Sequence, residues 1–90
     1  MMLQLAAEAD FFATLVRNDG VTWPDGVTVE IAIDDNDPWP AVLNGPRAVW
    51  EVDETDVATV IEASPKKARL YYTEGDVRVL WASGPVVVTR

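Results

Sequence analysis

Ninety residues suffice for one domain and are too few for two, and 49% hydrophobic with 24% charged residues is a folding composition, not a disordered one. The chain has no cysteine and no histidine, which removes disulfides, thiolate metal sites, cysteine nucleophiles and the commonest general base. A formal net charge of −8 argues against nucleic acid as a partner, because such binding needs a basic face to displace counterions from phosphate.

Residues 1–9 are mildly apolar, lack a basic n-region and are interrupted by Glu8. They read as a loosely ordered lead-in over 1–8 and not as a signal peptide. No apolar run approaches the ~20 residues of a membrane-spanning helix. From there the dominant period is two, the period of a pleated strand. Residues 11–17 are rich in aromatic and branched side chains and predict a strand, closed by the turn signal Asn18-Asp19-Gly20. Trp23-Pro24-Asp25-Gly26 marks a second turn. In 28–34, Val29, Ile31 and Ile33 share one face against Thr28, Glu30 and Asp34, a half-buried strand.

After Asn44-Gly45-Pro46, residues 47–53 repeat the alternation with Ala48, Trp50 and Val52 inward. A short helix is expected near 54–63. Asp53 or Thr55 can cap it, Glu54 and Asp56 suit the positive end of its dipole, and Val57, Val60 and Ile61 form an apolar stripe. Ser64-Pro65 ends it. Strands then follow over 68–73, 76–82 and 86–89. A tight hairpin is expected at Thr73-Glu74-Gly75-Asp76 and a break at Ser83-Gly84-Pro85. Val77, Val79 and Trp81 fall on one side, in phase with a core. The prediction is an all-β fold: a small antiparallel β-sandwich of about six to seven strands with one connecting helix, forming a single domain over 1–90.

Candidate sites are few. Ser64 and Ser83 are turn residues with no base nearby in sequence, so the chain is not expected to be an enzyme, and no cofactor is implied. Asp34, Asp35 and Asp37 place several carboxylates in one loop and are the only calcium candidates, although the EF-hand spacing is absent and a solvated acidic turn explains them as well. Of four tryptophans, Trp50 and Trp81 are assigned to the core. Trp23 and Trp39 sit in proline-containing turns and divide evenly between capping the sandwich and contacting a partner. Charge is uneven: residues 1–65 hold 13 acidic and 2 basic side chains, whereas residues 66–90 hold 2 and 5, giving −11 and +3. Lys66, Lys67 and Arg69 are therefore contact candidates for an acidic partner or a second copy. Val87, in the apolar final strand, is a further candidate unless that strand pairs internally.

The blocks Phe11-Phe12-Ala13-Thr14-Leu15-Val16-Arg17, Trp23-Pro24-Asp25-Gly26, Ala48-Val49-Trp50-Glu51-Val52-Asp53, Arg69-Leu70-Tyr71-Tyr72 and Leu80-Trp81-Ala82-Ser83-Gly84 together resemble, in order, a family of small actinobacteriophage proteins, the LtfC-like β-sandwich domain of mycobacteriophages and their relatives. The resemblance runs over about 9–87. It implies a β-sandwich, a phage origin and a virion structural role, in the tail or its fibres, with no catalytic residues to carry over. The protein would then be made in the host cytoplasm and reside in the phage particle, in contact with other virion proteins or copies of itself. Alternative readings are a capsid-decorating protein and a host-surface carbohydrate-binding module that stacks glycan on Trp23 and Trp39.

Overall fold

The computed structural model describes residues 1–89. Eight strands and one helix form two sheets around one apolar core. In chain order these are β1 (Leu3–Ala6), β2 (Phe11–Val16), β3 (Val27–Ile33), β4 (Trp39–Pro40), β5 (Val42–Asn44), β6 (Arg47–Val52), α1 (Glu54–Glu62), β7 (Lys67–Glu74) and β8 (Val77–Thr89). The larger sheet has the order β1-β8-β7-β3-β4 and the smaller the order β2-β6-β5. The expected β-sandwich is the observed fold. Its strand count rises to eight because the short β4 and β5 and the N-terminal β1 join the strands that periodicity marks.

Alternation places the core as the sequence dictates. Val27, Val29, Ile31 and Ile33 of β3 are buried and face Ala48, Trp50 and Val52 of β6 across the interior. Each fully buried branched side chain contributes ~1.5–3 kcal/mol of transfer free energy. One polar tie crosses the layers: the Trp50 indole N–H donates to the Trp39 carbonyl at 2.9 Å, linking β6 of the small sheet to β4 of the large one. Trp39 is half-buried, with its ring 5.4 Å from that of Phe11.

Helix α1 carries the chain from the small sheet to the large one. Asp53 is its N-cap, accepting from the Thr55 N–H at 3.1 Å, while the Asp10 carboxylate accepts from the Glu54 N–H at 2.8 Å. Two of the four orphan N–H groups of the first turn are thus satisfied by side chains. Val57, Val60 and Ile61 are buried as the apolar stripe predicts. Ser64, at φ 55, turns the chain out ahead of Pro65.

Three expectations are corrected. The lead-in over 1–8 contains strand β1, which pairs with β8 through Leu3↔Val86 to Ala6↔Thr89 and buries Leu3 and Leu5. Four residues are too few for a visible period, and tertiary pairing decides them. That pairing is parallel, so the sandwich is not wholly antiparallel. Finally, the strands expected over 76–82 and 86–89 are one strand of 13 residues, Val77–Thr89, that runs through Ser83-Gly84-Pro85 without a break. The Val86 N–H bonds Lys66 O toward β7, so the neighbouring Pro85 nitrogen points to the opposite edge, where pairing with β1 has not yet begun. Proline is harmless there because no ladder hydrogen bond is lost. Gly84 has a separate role: a Cβ on it would meet the Met1 carbonyl, so its missing side chain makes room for the N-terminal residue.

Candidate functional site

The two sheets differ in length. At ~3.3 Å per residue, a straight strand of the length of β8 would span ~40 Å and one of the length of β2 only ~17 Å; the molecule is 37 Å in its longest extent, so a twisted and bulged β8 runs along essentially all of it. The large sheet therefore overhangs the small one. β1 covers the β8 edge only from Val86 to Thr89, so, among the described residues, 77–82 pair with β7 on one side and with no strand on the other. The two-residue turn at Gly75 and Asp76 starts this arm, with Gly75 at φ 58 as such tight hairpins require.

The arm is apolar on its core side and carries Leu80 and Arg78 on its outer side. Val77 is 63% exposed, Val79 40% and Trp81 45% on the core side, and Leu80 is 51% exposed on the outer side. The phase of Val77, Val79 and Trp81 is as expected. Trp81 is nonetheless exposed and not a core residue, because no strand of the small sheet reaches far enough to cover it. A β-bulge sharpens this: Leu70 pairs with Ala82 and Tyr71 with Leu80, which leaves Trp81 as the extra residue.

Beside the arm, between the end of β2 and strands β7 and β8, lies a groove of about 570 Å³. Leu15 and Val16 form one lip, and Leu70, Tyr72, Trp81 and Ala82 form the floor and the other lip. Tyr72 and Trp81 stack at 4.7 Å with 15° between planes, and the Trp23 ring lies 5.7 Å from Trp81. Such pairs contribute ~0.5–1.5 kcal/mol beyond area burial. Arg17 lies over Trp23 at 5.4 Å, donates to Asp19 at 2.8 Å and to the Thr22 carbonyl at 3.3 Å, and so folds the loop after β2 against the aromatic cluster. Asp19 is held below its usual carboxylate range by the Val21 N–H and by Arg17. Tyr72 is pushed above the usual phenol value by desolvation and by its bond to Glu74 at 3.0 Å. The groove thus offers flat aromatic surface and strand edge, with charge at one end.

The residues singled out from sequence fall elsewhere or play other parts. Trp23 is 6% exposed, so it caps the core and is no stacking platform; its buried indole N–H has no acceptor among the described residues. Trp39 also caps, as part of β4. Asp34, at φ 47, accepts from the Lys66 and Lys67 N–H groups at 2.9 and 3.1 Å and clamps the end of the β3–β7 ladder. Its oxygens serve the backbone, and Asp34, Asp35 and Asp37 are not gathered into a cation site; the described residues contain no acidic cluster that could hold a metal ion. Lys67, Arg69 and Val87 share the outer face of the large sheet, with Lys66 just before β7. Lys66, Lys67 and Arg69 form no ion pair among the described residues. The final segment pairs internally with β1 over Val86–Thr89, while its ladder to β7 ends at Pro85 with one further bond from the Val86 N–H to Lys66 O, and Val87 stays 40% exposed on that outer face. Tyr72, Val77, Val79, Leu80 and Arg17 were missed as site residues. Periodicity reports which face a side chain takes, and it does not report whether a facing layer exists.

No curated protein matches the chain. The sequence model of the LtfC-like, beta-sandwich domain matches residues 2–89, nearly the whole chain and both sheets. With that match lying over a two-sheet sandwich of the expected kind, the chain belongs to the LtfC-like β-sandwich domain family.

Proposed function

We propose that this protein is a non-catalytic structural module of a bacteriophage particle, in the tail or its fibres, made in the host cytoplasm and held in the virion by protein–protein contacts. The observation that carries this reading is the uncovered β8 arm, where Val77, Val79, Leu80 and Trp81 are exposed along a strand edge that has no partner among the described residues. Free-standing sandwiches blunt such edges, and an apolar edge left open is a surface for another chain. The outer face of the small sheet adds to it, with Phe12, Val16 and Val42 49–72% exposed. The absence of histidine and cysteine from the sequence fits a module that binds and does not react.

The test is quantitative mass spectrometry of purified particles together with a Leu80→Lys variant. The protein is expected at fixed stoichiometry in the particle. The variant, altered at a residue already half exposed, is expected to fold and to be excluded. Absence from particles, or incorporation of Leu80→Lys at the wild-type level, sinks the proposal. A second reading, a host-glycan site, is favoured by the Tyr72–Trp81 stack beside Arg17 and Asp19. It places the platform on Trp81 and not on the capping Trp23 and Trp39. Glycan-array binding that Trp81→Ala abolishes would support it, and no binding at millimolar sugar would remove it.

A further inference from the structure

The uncovered stretch of β8 is unusual in one respect. A strand that pairs with it lies beside an apolar core side and an outer side where Leu80 adjoins Arg78, so it is best matched by a strand of largely apolar character. The arm itself has that character, with Val77, Val79 and Trp81 on the core side and Leu80 on the outer side. It is also electrostatically suited to meet its own copy. In a chain of net charge −8, residues 77–82 hold a single charge, Arg78, and no acid. Two copies can approach here with less repulsion than along their acidic stretches. Arg78 is already engaged, 3.4 Å from Glu30 and 3.6 Å above the Tyr71 ring, so it lies over its own sheet.

We propose that two copies of the chain pair antiparallel through the β8 edge at 77–82, about a two-fold axis at Val79, joining their five-stranded sheets into one continuous sheet. This rests on reading the arm as a contact surface. The register follows from elementary rules. Directly opposed residues share a face, so a two-fold perpendicular to the sheet opposes residues of the same parity. An axis at Arg78 would oppose two arginines, a destabilising like-charge pair. An axis at Leu80 would set the bulge at Trp81 next to the centre of the ladder on both strands, whereas an axis at Val79 moves it to the ladder's two ends. An axis at Val79 opposes Val79 to its copy, Arg78 to Leu80 and Val77 to Trp81, with no like charges facing. Such a contact is isologous: it uses both free arms and closes at two copies. The outer face carrying Lys67, Arg69 and Val87 then stays available to other proteins of the particle.

The measurement is molar mass by light scattering after size exclusion, from micromolar to millimolar protein, on the wild type and on Val79→Cys, Val79→Lys and Val42→Cys. The wild type is expected to approach twice 9.9 kDa as concentration rises. Because the sequence contains no cysteine, Val79→Cys should form a single inter-chain disulfide under air oxidation, the two Cα atoms lying within bonding reach across a two-stranded pair. Val42→Cys, on another exposed strand, should not. Val79→Lys, at a 40% exposed position, should keep the thermal stability of the wild type and remain at one chain mass. A wild type that stays at 9.9 kDa at millimolar concentration overturns the dimer, as does a dimer whose Val79→Cys form stays reduced. Particle incorporation separates this failure from that of the contact reading: a monomer whose Leu80→Lys variant is still excluded loses the two-fold pairing and keeps the arm as a docking surface.

Discussion

Trp23 and Trp50 are both buried, at 6% and 3% exposure, yet their indole N–H groups fare differently. Trp50 donates to Trp39 O at 2.9 Å, whereas the N–H of Trp23 has no acceptor among the described residues. Replacing each with Phe removes similar apolar bulk. Only at Trp50 does it also break a bond and orphan a carbonyl, worth ~1–2 kcal/mol. Trp50→Phe is therefore expected to lose more stability than Trp23→Phe by about that amount, measured by urea denaturation. Equal losses would mean that the cross-layer tie contributes nothing. Tyr72 makes a second prediction. Desolvation and Glu74 raise its pKa above 10.0 in the folded state. A raised folded value means that its contribution is complete below the unfolded value and declines as pH rises through the folded one. Melting temperature should fall more steeply above pH 10.0 in the wild type than in Tyr72→Phe, and Glu74→Gln should lower the phenol midpoint read by ultraviolet difference absorbance.

Among the elements, β1 is the least legible in sequence and is prominent in the fold. It adds Leu3 and Leu5 to the core and covers the far end of β8. Leu5 is 1% exposed, so Leu5→Ala should cost about 2–5 kcal/mol. A loosely ordered lead-in would give no change, and chemical denaturation distinguishes the two. Helix α1 shows the opposite case. Its cap at Asp53, its acidic first turn, its buried triad and its stop before Pro65 were all present as local chemistry, and its observed extent, Glu54–Glu62, lies within the expected 54–63. Strand β8 lies between these cases. The alternation in its first half was visible, but its continuity through Pro85 was not, because the direction of one missing N–H depends on which neighbour stands on each side.

At the scale of the molecule, the charge and the apolar surface are separated. The acidic side chains lie mostly in residues 1–65, and the exposed apolar arm lies in the nearly uncharged 77–82. A body of net charge −8 repels its own copies, and added salt screens that repulsion without weakening apolar contact. Self-association through the arm is therefore expected to strengthen, or at least not weaken, as ionic strength rises from ~0.01 to ~0.15 M, where the screening length falls from ~30 to ~8 Å. A contact through Lys66, Lys67 and Arg69 against acidic surface would show the reverse dependence. Light scattering at the two salt levels decides between them.

The sequence by itself determined what depends on near neighbours along the chain. Alternation at Val29-Ile31-Ile33 and Ala48-Trp50-Val52 fixed which faces turn inward, Gly75 fixed a hairpin, and Asp53 fixed the start of the helix. These are local because side-chain period, positive φ and N–H capping are properties of a few consecutive residues. Tertiary structure decided what depends on the lengths and placement of other elements. The same inward phase buries Trp50 and leaves Trp81 45% exposed, because β2 ends at Val16 while β8 runs on. Asp34 became a clamp on the Lys66 and Lys67 N–H groups, since residues 32 and 33 positions away reach its carboxylate only after folding. The candidate site belongs to this second kind: an uncovered arm exists only where one sheet outruns another, and no window of sequence records where the facing layer ends.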